Sequence, residues 1–275
     1  MGDLGRQARK VADGAEEAAE SKPFIIAARV GYVAAGLLHI LIGIIAVRVA
    51  AGGSGSADQD GAIASLAGTP GGGILLWVCS IGCFALALFL LSEALFEGRH
   101  RDRKEQLKQR LKNAGKAVVY AAIGVTFTRY ALGSASDSSS SAQSTSAALM
   151  TNPAGTALLL AIGGGIVAVG GYFIYSGVTQ RFEEHLAGEP SGSVGQAITT
   201  LGTVGYIAKG IALGVLGILV VIATVTNNPE ESTGLDGALK TLQEQPFGVW
   251  ILGAVAVGLV AYGLFMVVRA RYQRM

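Results

Sequence analysis

The chain contains the stretch DGAIASLAGTP at residues 60–70 and the related stretch DGALKTLQEQP at residues 236–246. Both read Asp-Gly-Ala, then an aliphatic residue, then a leucine and finally a proline, with the same spacing throughout. A pattern of this length that recurs in one chain indicates an internal repeat, and a repeat constrains the whole fold.

Six long apolar runs surround these stretches and predict membrane-spanning helices. Each holds about 18 or more mostly apolar residues, enough to cross a hydrocarbon core of about 30 Å. Six such helices would leave no polar face for water, which disfavours a soluble helical protein. The overall composition agrees, with 51% hydrophobic and only 15% charged residues. The runs lie near residues 24–49, 73–96, 116–133, 155–180, 204–226 and 248–269.

The distribution of lysine and arginine predicts the orientation. The segment 98–116 is densely basic, and three arginines lie at the C-terminus, whereas Lys240 is the only basic residue in the three alternate connections, 51–72, 134–154 and 227–247. Because basic residues stay on the cytoplasmic side, both termini are predicted to be cytoplasmic and these three loops to face outward. The predicted location is the bacterial plasma membrane.

The sequence around the Asp-Gly-Ala motif contains three copies of a unit that is predicted to form two helices. The stretch GYVAAGLLHILIG at 31–43 matches GYIAKGIALGVLG at 205–217, and KNAGKAVVYAAIG at 112–124 is a weaker copy. Each outward loop ends in Pro-x-Gly, and ten residues further lie Gly82, Gly165 and Gly258. All units enter from one side, which predicts parallel repeats about an axis along the membrane normal. The predicted fold is therefore an all-α integral membrane protein, a pseudo-threefold bundle of three parallel helical hairpins with six transmembrane helices.

The repeat also sets the predicted domain organisation. A polar cytoplasmic segment is followed by three repeats of two transmembrane helices each, and cytoplasmic linkers separate the repeats. The boundaries are 1–23 for the N-terminal segment, 24–97 for repeat 1, 98–115 for the basic linker, 116–186 for repeat 2, 187–203 for the second linker, and 204–275 for repeat 3 with its basic tail.

Each outward loop is predicted to hold a short amphipathic helix. Asp60 or Asp236 would act as the N-cap, because an aspartate side chain can accept from free backbone N–H groups. The aliphatic residues of the motif then fall on one face of the helix and are expected to be buried, whereas Asp60, Asp236 and Lys240 are expected to meet water. The buried set is Ile63, Leu66, Leu239 and Leu242.

The sequence resembles a family of bacterial membrane proteins known as domain of unknown function 1206. One signature, Gly-Tyr-x-Ala-x-Gly, occurs at 31–36 and at 205–210, and the second, Gly-Ala-aliphatic-x-x-Leu-x-x-x-Pro-Phe-Gly, is fullest from Gly237 to Gly248. The middle copy departs most, since it lacks the Gly-Tyr pair. The resemblance implies three two-helix repeats and brings no established activity.

Hydrolase, nucleotide and zinc-protease motifs are absent from the sequence, so we expect no enzymatic activity. Cys79 and Cys83 lie on one helix face without further zinc ligands nearby, and we interpret them as small packing residues rather than as a metal site. The sequence leaves the cofactor open.

Ionisable residues within membrane helices are costly and therefore mark candidate sites. The candidate intramembrane polar site comprises His39, Glu93, Lys116 and Lys209. His39 could titrate in a conduction path, ligate a haem or metal, or simply hydrogen-bond within the bundle. Glu93 could pair with one of the cations Lys116, Lys209 and Arg269, either as a structural ion pair or as part of a gate or headgroup site.

Two further groups of basic residues point to lipids. Arg48 and Arg129 occupy matching positions near the outward ends of their helices, where they either snorkel to the interface or bind a lipid phosphate or another anion. The basic segment 98–116 is expected to contact anionic headgroups of the inner leaflet. Nucleic acid is not expected as a partner, because no aromatic platform accompanies the charge.

These observations favour a non-enzymatic binding or scaffold protein that associates with membrane lipids or with a membrane protein complex. The alternative is a small transporter or channel with a path along the pseudo-threefold axis. Such a path needs polar residues at successive depths.

Overall fold

The computed structural model describes residues 22–96, 103–134, 138–185, 192–232 and 234–272. Within these ranges the chain is helical, with two 3₁₀ turns at Arg181–His185 and Pro229–Glu231. Most of the predicted N-terminal segment 1–23 lies outside the described residues, as do parts of both predicted linkers. The α-helices are α1 (Lys22–Ala50), α2 (Gln59–Ala67), α3 (Gly72–Phe96), α4 (Arg103–Ala131), α5 (Ser138–Met150), α6 (Pro153–Val178), α7 (Ser193–Val225), α8 (Gly234–Glu244) and α9 (Gly248–Tyr272).

Five of these helices are long and apolar enough to cross a membrane: α1, α3, α6, α7 and α9. The chain is therefore a multi-pass membrane protein. Helix α4 covers residues 116–131 of the predicted run 116–133 but is not among the five. Its apolar part is bracketed by Lys116 and Arg129 and continues a polar first half. The sixth span and the orientation of the termini remain predictions.

The chain divides into two compact units, and each is described by itself. Unit one comprises α1 up to Ala35, together with α3 and α4. Unit two comprises α1 from Gly36 onward, together with α2 and α5 to α9.

In unit one, α3 packs closely on both α1 and α4. A Cβ on Gly82 would lie 2.8 Å from the backbone nitrogen of Gly31, so only glycine permits this approach of α3 to α1. On the α4 side, the Ser80 hydroxyl donates to the carbonyl of Gly124 at 3.2 Å and lies 2.7 Å from the Thr128 hydroxyl. Small and hydroxyl-bearing residues thus bring these helices together, as is typical of membrane helix pairs.

In unit two, two helix pairs are joined through facing glycines. A Cβ on Gly210 of α7 would lie 2.6 Å from the carbonyl oxygen of Gly170 in α6. In the same way, a Cβ on Gly36 of α1 would lie 2.7 Å from the carbonyl oxygen of Gly263 in α9. The four glycines occupy matching repeat positions, so one packing arrangement is used twice within this unit.

A second helix–helix contact, made by the glycine that closes each copy of the first motif, occurs in all three repeats. Gly43, Gly124 and Gly217 close the three copies of the first motif. The carbonyl of Gly124 accepts a hydrogen bond from the Ser80 hydroxyl. Gly217 lies against the carbonyl of Gly163, and Gly43 lies against the carbonyl of Ala256. The opposing residues 80, 163 and 256 are again equivalent in the repeat. The second helix of each repeat therefore packs on the first helix of a different repeat through equivalent residues. The pseudo-threefold arrangement remains a prediction.

In repeats 1 and 3, a glycine of the second helix packs on the first helix of the same hairpin. Gly82 packs against Val30 in unit one, and Gly258 packs against Ala208 in unit two. A Cβ on Gly165, the equivalent residue in repeat 2, would meet no atom within 4 Å. Gly165 therefore has space for a side chain, unlike Gly82 and Gly258.

The loop helices α2 and α8 carry the opening motif, and their aliphatic residues are buried as predicted. Ile63 and Leu239 are 0% and 1% exposed, and Leu66 and Leu242 are also buried. Lys240 is exposed, as predicted. These loops are therefore held down by apolar packing rather than lying free.

Two expectations about the aspartates were wrong. Asp60 and Asp236 do not meet water, since both are buried. The N-cap of α2 is Asp58, whose Oδ1 accepts from the Gly61 N–H at 2.8 Å, because the helix begins one residue before Asp60. Asp236 lies inside the first turn of α8 and accepts from the Ala57 N–H at 2.8 Å. Asp236 thus ties one loop to another.

In repeats 2 and 3, the glycine of the proline-x-glycine sequence lies where a side chain does not fit. A Cβ on Gly155 would collide with the carbonyl oxygen of Leu149, and a Cβ on Gly248 would collide with that of Gln243. The spanning helix that follows therefore begins directly against the last turn of the loop helix. Glycine is required there by space rather than by backbone flexibility.

The three loops that are predicted to face outward are hydrogen-bonded to one another in unit two. Besides the Ala57–Asp236 bond, the Gln243 side chain donates to the Val49 carbonyl at 3.2 Å, and Gln143 donates to the Glu230 carbonyl at 3.1 Å. The hydroxyl of Ser146 in α5 bonds that of Ser232 at 3.0 Å, and both serines are buried. We call this end of unit two, with α2, α5 and α8, the loop-helix end.

Candidate functional site

Lys209 lies in the middle of spanning helix α7 and points its ammonium at aromatic rings. The Nζ atom is 4.3 Å from the centre of the Tyr262 ring and 5.1 Å from that of Phe173. Among the described residues, Lys209 forms no ion pair and no hydrogen bond. A cation over two ring faces is stabilised by their quadrupoles, by about 0.5–2 kcal/mol. That leaves all three ammonium donors without an acceptor.

A second cation enters the same group from α9. Arg269 is buried, and its Nη1 donates to the hydroxyl of Tyr206 at 3.3 Å. The Tyr206 ring in turn meets the Tyr262 ring edge-on at 5.4 Å. We call Phe173, Tyr206, Lys209, Tyr262 and Arg269 the cation–aromatic cluster. Helices α6, α7 and α9 each contribute to it, so it depends on the packing of two repeats.

His39 of α1 borders the cluster. Its ring lies 4.8 Å from the ring of Tyr262, the residue beneath the Lys209 ammonium. Two residues of the predicted polar site, His39 and Lys209, are thus brought to one tyrosine. Among the described residues, no group of three or more histidine, cysteine, aspartate or glutamate side chains could hold a metal ion.

The opposite side of the cluster is covered by aromatic residues. Phe182, from the 3₁₀ turn that follows α6, stacks on Tyr206 at 5.0 Å and meets the Phe265 ring edge-on at 5.1 Å. Phe182 is 1% exposed. A Cβ on Gly202 of α7 would collide with the Phe182 ring, so glycine provides the space that this ring occupies.

The other two residues of the predicted polar site lie in unit one. Glu93 of α3 accepts from the Nδ2 group of Asn113 at 3.3 Å. Lys116 lies one turn further along α4. Glu93 and Lys116 belong to unit one, and His39 and Lys209 belong to unit two.

Arg48 and Arg129 are both exposed, each in the last turn of its helix. The carbonyl of each accepts from a backbone N–H five residues later, from Gly53 and Ser134 respectively, at 2.9 Å. Their equivalence in the repeat therefore extends to the helix ends. An exposed arginine at a helix end fits the snorkelling interpretation, and an anion at either residue remains a prediction.

Sequence reasoning located Lys209 but not its surroundings. Arg269 was considered only as a partner for Glu93, and Tyr206 was taken as part of a repeat motif. The signal that could have identified the cluster is the repeat itself: Lys209 and Lys116 match, but only repeat 3 adds an arginine at 269, where repeat 2 has Ser176. Cys79 and Cys83 are both buried and unbonded, in keeping with their interpretation as packing residues.

The fold and the cluster define a multi-pass helical membrane protein built from repeated helix pairs. Residues 30–97, 111–180 and 204–273 each match the family model described as Domain of Unknown Function (DUF1206), and the chain belongs to this family. These segments correspond to the three predicted repeats. The chain is similar to an uncharacterized protein of Bacillus subtilis (strain 168), YxxB, with 30% identity over 259 residues, covering 93% of this chain and 94% of that protein. No solved structure matches.

Proposed function

We propose that this protein is a non-enzymatic binding protein of the bacterial plasma membrane, and that its cation–aromatic cluster holds the anionic headgroup of a membrane lipid. The observation that carries this proposal is the Lys209 ammonium. It lies on spanning helix α7 against two aromatic rings, without a hydrogen-bond acceptor among the described residues.

A charged group inside a membrane helix bundle is costly unless acceptors satisfy its donors. The rings of Tyr262 and Phe173 offset part of that cost but accept none of the three N–H bonds. A phosphate or carboxylate oxygen at the Lys209 ammonium would accept these hydrogen bonds. A charge-assisted hydrogen bond is about twice as strong as a neutral one. Arg269 in the same cluster adds positive potential.

A lipid is a more suitable source of that anion than a soluble ion. The cluster is built on helices whose outer faces carry large exposed apolar side chains, among them Trp250, Tyr172 and Leu264. Acyl chains would lie against these faces while the headgroup enters the cluster. The basic segment 98–116 would attract anionic lipids to the inner leaflet, by about 1 kcal/mol for each lysine or arginine.

The orientation belongs to the same proposal. Both termini would be cytoplasmic, and α4 would be the sixth span. Its support is the packing of α4 along α3: Ser80 meets Thr128 near one end and Glu93 meets Asn113 near the other. Ser80 and Glu93 are separated by thirteen helical steps, which correspond to about 20 Å of helix and most of a hydrocarbon core.

The alternative function is a small transporter or channel. The observation that favours it is the sequence of polar and charged groups through unit two, in which Arg269, Lys209 and His39 are linked through Tyr206 and Tyr262. Flux of an anion across proteoliposomes, absent in a Lys209→Met variant, would support this alternative over a static binding site.

Substituting Lys209→Met is expected to remove a bound anionic lipid. Methionine retains the length of the side chain but loses the charge, so affinity should fall by about tenfold or more, the equivalent of one charge-assisted hydrogen bond. The measurement is native mass spectrometry of protein purified in mild detergent, with identification of the lipids that remain bound.

Lys240→Met is the matched control, since Lys240 is exposed on α8 and lies outside the cluster. Lys209→Arg should retain much of the lipid because it keeps the charge. Equal lipid content in the Lys209→Met and Lys240→Met proteins, with both folded, would contradict the proposal.

A further inference from the structure

We infer that Phe247 and Trp250 anchor the loop-helix end in the lipid bilayer, at the level where headgroups meet acyl chains. These two side chains are the most exposed large hydrophobic ones among the described residues, at 81% and 79%. They form a different surface from the cation–aromatic cluster, and their role as an anchor does not rest on the proposed function.

The backbone of Phe247 is strained. Its φ angle is 62°, in the left-handed region that a bulky residue rarely adopts. Gly71 occupies the equivalent position in repeat 1 and has a φ angle of 79°, a conformation that costs glycine nothing. The phenylalanine therefore brings a strain that glycine avoids, and a ring so exposed gains little from packing within the protein.

The turn at Phe247 is held by backbone contacts that do not involve its ring. Because a Cβ on Gly248 would collide with the carbonyl oxygen of Gln243, α9 begins directly against α8 and the chain must turn sharply just before it. The Phe247 carbonyl then accepts from the N–H groups of Trp250 and Ile251, at 2.9 and 3.1 Å. The turn would form with a glycine at residue 247 as well.

The other repeats show that the hairpin can be built without these rings. Neither has an aromatic residue at the two equivalent positions: repeat 1 has Gly71 and Ile74, and repeat 2 has Ala154 and Ala157. The aromatic pair is therefore specific to the loop that contains α8, which favours a contact outside the protein as its purpose.

The position of the pair along α9 identifies the bilayer as that contact. Helix α9 has 25 residues and is about 38 Å long, against a hydrocarbon core of about 30 Å, so its first turn lies at the edge of the core. Trp250 is in this turn, on the same face as Val257 and Leu264, which are 61% and 42% exposed. Residues 244–245, just before the turn, are exposed and polar. Tryptophan is enriched in membrane proteins at this level, where one part of the ring meets acyl chains and the other meets headgroups.

Tryptophan fluorescence tests the depth of the anchor. Trp77→Phe leaves Trp250 as the only tryptophan, and the protein is reconstituted into phosphatidylcholine vesicles brominated either close to the headgroup or near the end of the acyl chains. We expect a greater loss of Trp250 fluorescence with the shallow bromine. A reporter introduced by Phe247→Trp, with both native tryptophans replaced by phenylalanine, should give the same result. Val257→Trp in that background is the matched control: it lies two turns deeper on the same face, and the deep bromine should quench it more.

Phe247→Gly tests whether the ring is held by the protein. Because glycine relieves the strain, its melting temperature in detergent should be no lower than that of the parent chain. It should also exceed that of Phe247→Ala, which keeps the strain without the ring. A large loss of stability in Phe247→Gly would show that the ring packs within the protein and would overturn the inference.

Two fluorescence results would also overturn it. Trp250 that neither brominated lipid quenches would show that water or a second protein, rather than lipid, meets this surface. Trp250 quenched more by the deep bromine would place the ring in the hydrocarbon core. Because phosphatidylcholine carries no net charge, the outcome does not depend on an anion at the cation–aromatic cluster, and failure of either proposal leaves the other standing.

Discussion

Substituting Gly155→Ala is expected to lower the thermal stability of the protein in detergent, whereas Gly164→Ala in the same helix should be neutral or slightly stabilising. The Cβ added at Gly155 collides with the carbonyl oxygen of Leu149, a backbone atom that cannot rotate away. The Cβ added at Gly164 meets nothing within 4 Å. Overpacking of this kind costs about 1–3 kcal/mol, and alanine in an open helical position gains up to about 1 kcal/mol over glycine.

The two substitutions should therefore change the melting temperature in opposite directions or leave a difference of at least about 5 °C between them. The third repeat supplies an independent pair: Gly248 collides with the Gln243 carbonyl, and Gly253 is open. Melting curves of all four variants would show whether the added Cβ destabilises the protein at Gly155 and Gly248 but not at Gly164 and Gly253. Equal losses at Gly155 and Gly164 would show that the Pro-x-Gly glycine has no special packing role.

Substituting Leu239→Asp is expected to release the loop that contains α8 or to unfold the protein. Leu239 is 1% exposed in α8, so the change removes a buried apolar side chain and places a carboxylate where it stood. The combined cost is about 3 kcal/mol or more, because the lost apolar burial adds to the desolvation of the charge. Ile63→Asp in α2, at the matching repeat position, should have a similar effect.

Lys240→Ala is the control for this loop. The Lys240 side chain is half exposed and pairs with Asp236 at 2.6 Å, and exposed pairs of this kind contribute about 0.3–0.5 kcal/mol. Limited proteolysis with mass spectrometry should show new cleavage near α8 for Leu239→Asp and an unchanged pattern for Lys240→Ala. Loops cut equally fast in all variants would mean that the motif does not anchor them.

The sequence predicted the fold well where the pattern is periodic. The repeat predicted the helix pairs and the burial of Ile63 and Leu239, because apolar spacing and repeat register are both visible in one dimension. It failed for Asp60 and Asp236, since an aspartate before an apolar helix ordinarily indicates an N-cap. The bond from Ala57 to Asp236 joins residues 179 positions apart, and no local pattern encodes such a contact.

The candidate site was predicted only in part for a related reason. Lys209 and His39 stand out as ionisable residues in apolar runs, but aromatic residues in the same runs do not, because they also fit lipid-facing positions. That Tyr262 lies beneath Lys209, and that Phe182 stacks on Tyr206, depends on how α6, α7 and α9 pack.

Photo-crosslinking tests the central claim most directly. Purified protein is incorporated into nanodiscs that contain phosphatidylglycerol with a diazirine near its headgroup, irradiated and digested, and the adducts are mapped by mass spectrometry. We expect adducts concentrated at Phe173, Tyr206 and Tyr262, and their loss in Lys209→Met but not in Lys240→Met. Adducts spread evenly over the exposed apolar faces, or equally abundant in the Lys209→Met protein, would contradict a lipid headgroup at the cation–aromatic cluster.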